Sequence, residues 1–250
     1  MRETPAMSGC CGAELVLGGI VMAGASVQWL TGMGFALIAV PALVLLLGPG
    51  DGVALANCGS GAICALGLVD GGWRRVRLTA MVPLVAASAC TVPAGTWVAA
   101  RLPEPVLLAG TGTLVSLAVL LVMAGLRVPA LNGVKGALTA GAAGGFMNAS
   151  AGVGGPPISL YAVNAGWTVR EFVPNAQFYG IVVNAFSIAT NGVPQLNPPL
   201  WTLAAAGMTA GAFIGKSLTT RVSDHGARLL VLLLALAGGL STLAKGAWEL

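Results

Sequence analysis

The stretch GGFMNASAGVGGPPISLYAVNAG, residues 144–166, is the least helix-like part of a strongly apolar chain. Its glycines have no side chain, and Pro156 and Pro157 have no N–H group with which to continue a preceding helix. We therefore predict that one helix ends near Gly152 and that a short second helix follows it. The segment TGMGFALIAVP, residues 31–41, predicts a weaker version of the same break.

The composition indicates that this chain is surrounded by lipid. Only 8% of its residues are charged and 56% are hydrophobic, with a mean hydropathy of +0.88. A soluble domain of this size needs a far more polar exterior. The apolar runs are continuous and lack the alternation of barrel strands. We therefore predict an all-α, polytopic transmembrane bundle whose partner is the lipid bilayer.

Apolar segments follow one another along the whole chain. A bilayer crossing needs about 20 apolar residues, and two of the segments, 33–48 and 155–165, are shorter than that. We expect these two to be broken or re-entrant helices. The ten predicted segments are 13–31, 33–48, 52–70, 78–100, 105–126, 133–151, 155–165, 173–191, 199–220 and 226–245.

An internal repeat relates the first five segments to the last five. It divides the chain into a head (1–12), a first repeat (13–126) and a second repeat (133–246). Four residues recur at an offset of 120: Gly32 as Gly152, Gly34 as Gly154, Gly95 as Gly215, and Arg101 as Arg221. Two more recur at an offset of 118: Gly48 as Gly166 and Asn57 as Asn175.

The basic loops predict the orientation of the two units. Cytoplasmic loops of membrane proteins are enriched in Lys and Arg. Three loops fall on one side of the predicted bundle, and we place them in the cytoplasm. Five segments per unit is an odd number, so the second unit must be inverted relative to the first. Inverted repeats are typical of secondary transporters, whose site lies between the repeats near the midplane. The three loops contain Arg74, Arg75 and Arg77; Arg127 and Lys135; and Arg221 and Arg228.

The two breaks predict an anion site without a buried cation. The N-terminal amides of a helix suit an anion, and irregular backbone at membrane depth must be buried or line a cavity. For the polar side chains, hydrogen bonding between helices is an equally valid interpretation. The candidate substrate contacts are Gln28, Gly32, Gly34, Asn57, Asn148, Ser150, Gly152, Gly154, Gly155, Asn175, Gln177 and Tyr179.

Several other functions are disfavoured by the sequence. The net charge of +4 is too small and too dispersed for a nucleic-acid partner. His225 is the only histidine and no C-x-x-C pair exists, so we predict no metal and no cofactor. No titratable group stands out in the middle of a segment, which disfavours an enzyme.

The glycine-rich turns, each followed by proline, and the helix ends Gly95–Arg101 and Gly215–Arg221 resemble the TauE/SafE sulfite exporter family of bacterial permeases. The first-half motif differs in having Phe35 where the family commonly has a third glycine. The resemblance implies a transporter, an exporter in the first place, of small sulfur-containing anions such as sulfite and organosulfonates. It also implies a multi-pass protein of the bacterial inner membrane, and a homodimer is compatible with it.

Two alternatives to a transporter remain open at this point. A channel-like anion pore would share the broken helices and would differ in having fast, nearly linear flux. A non-transporting membrane subunit would use its glycines for packing alone and would bind no small anion.

Overall fold

The structure, a computed structural model, describes residues 11–69, 72–124, 132–218 and 224–250. Within these ranges the chain is helical, as predicted, and a short 3₁₀ turn, Gly72–Arg75, precedes the third helix. The α-helices are α1 (Cys11–Thr31), α2 (Phe35–Val69), α3 (Leu78–Arg101), α4 (Glu104–Ala124), α5 (Gly133–Ala151), α6 (Gly155–Asn164), α7 (Val169–Asn191), α8 (Pro198–Leu218) and α9 (Asp224–Trp248).

Helix α2, Phe35–Val69, covers most of two predicted segments, 33–48 and 52–70, which are joined at a sharp break; residue 70 lies outside the described residues. At Gly48 the backbone has φ 84° and ψ 166°, a conformation that is not helical and that favours glycine. Pro49 follows directly, and proline suits the first turn of a new helix because that position needs no N–H group. The division of this region into two helical pieces is therefore confirmed.

The helices differ in whether they can cross a membrane. Helix α6 has 10 residues, so at 1.5 Å per residue it is about 15 Å long, half the thickness of a bilayer core. Among the described residues, four helices are long and apolar enough to cross. These are Gly12–Thr31, Phe35–Val69, Leu78–Arg101 and Glu104–Leu121.

Packing brings helices from the two halves of the chain together. Helix α1 packs on α8, α3 on α5, α4 on α9, and α2 on α7. One apolar core cluster surrounds α1 and the first part of α2, and a second lies among α3, α5, α6 and α7. Both breaks contact these clusters, because Val153 of the second break belongs to the first cluster and Met33 of the first break packs against the second cluster.

Glycines allow the paired helices to approach closely. A Cβ atom built on Gly207 of α8 would lie 2.7 Å from the carbonyl oxygen of Gly18 in α1. One built on Gly145 of α5 would lie 2.6 Å from the Cα atom of Ser88 in α3. Small residues at helix interfaces are the usual means of close packing in lipid, where no hydrophobic force drives helices together.

Charged side chains lie near helix ends in the described part of the chain. Arg77, before α3, forms an ion pair with Glu171 in the first turn of α7. At other helix ends, the Asp51 carboxylate accepts a 2.8 Å hydrogen bond from the backbone N–H of Gln195. These contacts tie together loops that are distant in sequence.

Candidate functional site

Both predicted breaks are present, and both use a glycine in the left-handed region. Helix α1 ends at Thr31 and is followed by Gly32 with φ 79°; helix α5 ends at Ala151 and is followed by Gly152 with φ 71°. In the second break, two prolines without N–H groups occupy the first turn of α6. Gly32, Gly34 and residues 151–154 are buried, so both breaks lie inside the protein rather than at its surface.

A side-chain amide caps the helix that follows each break. The Gln28 Oε1 atom accepts hydrogen bonds from the backbone N–H groups of Gly34 (2.7 Å) and Phe35 (2.9 Å). In the second break, the Asn148 Oδ1 atom accepts one from Gly154 N–H (3.2 Å). Gln28 and Asn148 lie six positions before the first amide that each of them caps, Gly34 and Gly154. The caps satisfy donors that would otherwise be buried without partners.

A cavity of about 40 Å³ lies between the two breaks. One water needs roughly 10–15 Å³ by this measure, so the cavity has room for a few waters or one small anion. Two central helices, α2 and α7, complete its wall. It is lined by Gln28, Met33, Ala36, Ser60, Cys64, Asn148, Gly154, Gly155, Ala176, Tyr179, Gly180, Val183 and Asn184.

Among the described residues, the cavity wall combines amides, hydroxyls and a thiol with apolar side chains, and it includes no lysine, arginine, aspartate or glutamate. Asn148 Nδ2 lies within hydrogen-bonding distance of Asn57 Oδ1 (3.3 Å), Asn184 Oδ1 (3.1 Å) and Ser187 Oγ (2.9 Å). In turn, Asn184 Nδ2 donates to Ser60 Oγ at 3.2 Å. The second half of the cavity is thus bordered by a connected network of neutral polar groups.

Tyr179 connects the cavity to the α3–α5 helix pair. Its ring is buried, and its hydroxyl lies 2.8 Å from Ser88 Oγ on α3. Ser88 Oγ also lies 2.8 Å from the carbonyl oxygen of Gly141 on α5. A rigid hydroxyl pair therefore holds α7 against the helix that bears Asn148.

The structure brings five of the twelve candidate residues to the cavity wall. Four others lie close to the wall. Three of them belong to the breaks, namely Gly32, Gly34 and Gly152, and the fourth, Asn57, lies behind the wall in contact with Asn148. The five at the wall are Gln28, Asn148, Gly154, Gly155 and Tyr179.

Three candidate residues lie away from the cavity. Ser150 donates its hydroxyl to the Phe146 carbonyl within α5. Asn175 accepts a 2.8 Å hydrogen bond from the Arg77 backbone N–H, near the start of α7. Gln177 packs against Gly67 of α2. None of these three residues is among those that line the cavity.

Sequence reasoning missed several residues of the cavity wall. Cys64 accepts a 3.1 Å hydrogen bond from Gln28 Nε2, although a cysteine in an apolar segment is typical of simple packing. Met33 has no polar signal at all, and Asn184 could be recognised only as one polar residue among several. The offset of 120 is a signal in the sequence that links two pairs of wall residues, Cys64 with Asn184 and Ser60 with Gly180.

The model of the sulfite exporter TauE/SafE family matches residues 16–242 of the chain. The chain belongs to the TauE/SafE family. The resemblance in the glycine-rich turns is thereby confirmed over nearly the whole chain. No curated protein and no solved structure matches the chain.

Membership of the TauE/SafE family and the four long apolar helices make this a multi-pass protein of a membrane transporter family. The family and the neutral polar cavity are consistent with a small anionic substrate and with a function in transport rather than catalysis.

Proposed function

We propose that this TauE/SafE protein exports a small sulfur-containing anion, such as sulfite or an organosulfonate, by alternating access. The observation that supports the proposal most directly is the cavity between two capped helix breaks, whose polar lining residues carry amide, hydroxyl and thiol groups. Oxygen atoms of such an anion accept hydrogen bonds from N–H and O–H groups. A site without a fixed cation allows the anion to leave again, which transport requires.

Inverted repeats are part of the proposal, and matching contacts support them. Gln28 Nε2 donates to Cys64, and Asn148 Nδ2 donates to Asn184; both residues of the second pair lie 120 positions after those of the first. Helix packing agrees with the same offset. Helix α1 corresponds to α5 and helix α3 corresponds to α8, so the packed pair α1–α8 in one direction matches the packed pair α3–α5 in the other.

Glycine packing repeats with the same offset. A Cβ on Gly95 would lie against Phe146, and a Cβ on Gly215 would lie against Ser26. Adding 120 to residues 95 and 26 gives 215 and 146, so the two contacts are equivalent under exchange of the units. Two units, 13–126 and 133–246, related in this way would create the site at their interface and could rock about it.

The proposed topology can be tested by cysteine labelling in intact cells. In this topology Arg75 lies in the cytoplasm and Gln195 lies outside, and the contacts Arg77–Glu171 and Asp51–Gln195 agree with it. With the native cysteines removed, a cysteine introduced beside Arg75 should not react with an impermeant thiol reagent, whereas one near Gln195 should react. Labelling of both sites, or the opposite pattern, would contradict the inverted arrangement. Permeabilised cells, in which both sites should react, are the control.

The substrate class can be tested by ligand-dependent stability of the purified protein. The panel comprises sulfite, sulfoacetate, taurine, sulfate, chloride and acetate. A ligand present at about 100 times its dissociation constant stabilises the folded state by ~2.7 kcal/mol. We expect stabilisation by sulfite or a sulfonate and little by chloride or acetate. No response to any sulfur-containing anion would favour a non-transporting subunit.

Flux measurements in proteoliposomes separate a transporter from a channel-like pore. Alternating access moves a bound anion once per conformational cycle, so the rate should saturate with substrate concentration. A pore would give fast flux that rises almost linearly over the same concentrations.

A further inference from the structure

The two breaks differ in the number and length of the hydrogen bonds that their backbone amides donate to the capping side chain. Gln28 Oε1 accepts two short hydrogen bonds, from Gly34 and Phe35, and Gln28 Nε2 is also held by the carbonyl oxygen of Gly32 at 3.0 Å. Asn148 Oδ1 accepts a single, longer bond from Gly154. Asn148 is also anchored through Nδ2, by Asn57, Asn184 and Ser187, so the two breaks differ only in the bonds to the capped amides. An anion oxygen that competes for these amides replaces one 3.2 Å bond at the second break and two shorter bonds at the first.

The two breaks differ in which of two equivalent positions carries an aromatic residue and which carries a glycine. Phe35 and Gly155 are equivalent at the offset of 120, as are Gly59 and Tyr179. The Phe35 ring is fully buried and packs over Gly59, whereas Gly155 lines the cavity together with Tyr179. The capped glycine of the second break, Gly154, therefore lines the cavity, whereas Gly34 and Phe35, whose amides are capped in the first break, are not among its lining residues.

A buried donor without a partner lies behind the second break. The Gly154 N–H fixes Asn148 with its oxygen toward the break, so that Asn148 Nδ2 faces the oxygen of Asn57. Because the oxygen of the Asn57 side chain faces Asn148, the other end of this side-chain amide is the N–H₂ group, Nδ2. The residue is fully buried, and Asn57 Nδ2 has no hydrogen-bond partner among the described residues. Buried polar groups are nearly always paired, so an unpaired donor here calls for an acceptor.

We propose that the anion binds asymmetrically, at the second break, and that the N–H₂ group of Asn57 donates a hydrogen bond to one of its oxygens. Asn148 lines the cavity and holds Asn57 by one hydrogen bond of 3.3 Å, the longest of its three contacts. When an anion oxygen takes that N–H of Asn148, the Asn57 amide is released and its N–H₂ group can turn to the same ligand. This inference rests on the proposed function and names the half of the site that recognises the oxyanion.

The substitution Asn57→Leu tests the inference. It removes the unpaired donor and keeps a similar volume, and Asn148 keeps Asn184 and Ser187 as acceptors for its two N–H groups. We expect the unfolding midpoint to be unchanged or higher, while the affinity for sulfite, titrated into the purified full-length protein, falls about tenfold or more. A purely structural role would not lower affinity while preserving stability.

A matched control is Ser116→Ala, because Ser116 Oγ in α4 is also buried, has no hydrogen-bond partner within the described part of the chain, and is not a cavity-lining residue. Its sulfite affinity should equal that of the wild type. Asn57→Ala serves as a second variant, judged by the same criterion, if the leucine variant does not fold. Wild-type affinity in the Asn57 variants, or an equal loss in Ser116→Ala, would overturn the asymmetric site alone. If wild-type protein binds neither sulfite nor an organosulfonate in the same titration, the proposed function fails as well.

Discussion

Replacement of Asn148 by alanine is expected to lower transport of the sulfur-containing anion by about 10- to 150-fold. The change removes an amide at the cavity wall, and a hydrogen bond to a charged group contributes roughly 1.5–3 kcal/mol. It also removes the cap on Gly154 and the bridge between Asn57 and Asn184. Uptake or efflux in proteoliposomes, at matched protein content, measures the effect.

The control for this substitution is Thr139→Ala on the same helix. Thr139 is exposed and donates only to the carbonyl oxygen of Lys135, one turn earlier, so its removal should leave transport unchanged. Both variants should elute as monodisperse protein. If Asn148→Ala transports at the wild-type rate, the amide network is a packing feature and the substrate lies elsewhere.

Gly145→Ala is expected to lower both stability and transport. The added Cβ would lie 2.6 Å from the backbone of Ser88, which cannot move without shifting α3 against α5. Overpacking of this kind costs about 1–3 kcal/mol, or roughly 2–4 °C in unfolding midpoint per kcal/mol for a chain of this size. A shift of α5 would also move Asn148, three residues further along the same helix. Thermal unfolding in detergent and proteoliposome flux are the measurements.

Gly110→Ala provides the comparison, because a Cβ at this position of α4 has no neighbouring atom within 4 Å. Glycine is about 0.8–1 kcal/mol less favourable than alanine inside a helix, so this variant should be as stable as the wild type or slightly more stable. Equal midpoints for the two alanine variants would show that close α3–α5 contact does not limit stability.

The sequence alone was sufficient to predict the features that depend on local chemistry. The low charge and continuous apolar runs required a helical membrane protein, because helices satisfy their own backbone hydrogen bonds in lipid. Glycine and proline determine where a helix must stop, so the breaks at Gly32, Gly48 and Gly152 were predictable from residue type. The family match follows from the same motifs.

Which side chains meet at the cavity was decided only by the tertiary structure. In a soluble helix an apolar stripe marks the buried face, but a helix in lipid is apolar all round and its sequence does not reveal its rotation. Ser150 and Asn148 are two residues apart, yet one bonds within its own helix and the other lines the cavity. Asn175 and Asn184 both lie on α7, yet packing places one beside Arg77 and the other in the cavity wall. Helix packing set these rotations, because a close contact at a glycine, such as Gly145 against Ser88, requires the glycine side of the helix to face its neighbour.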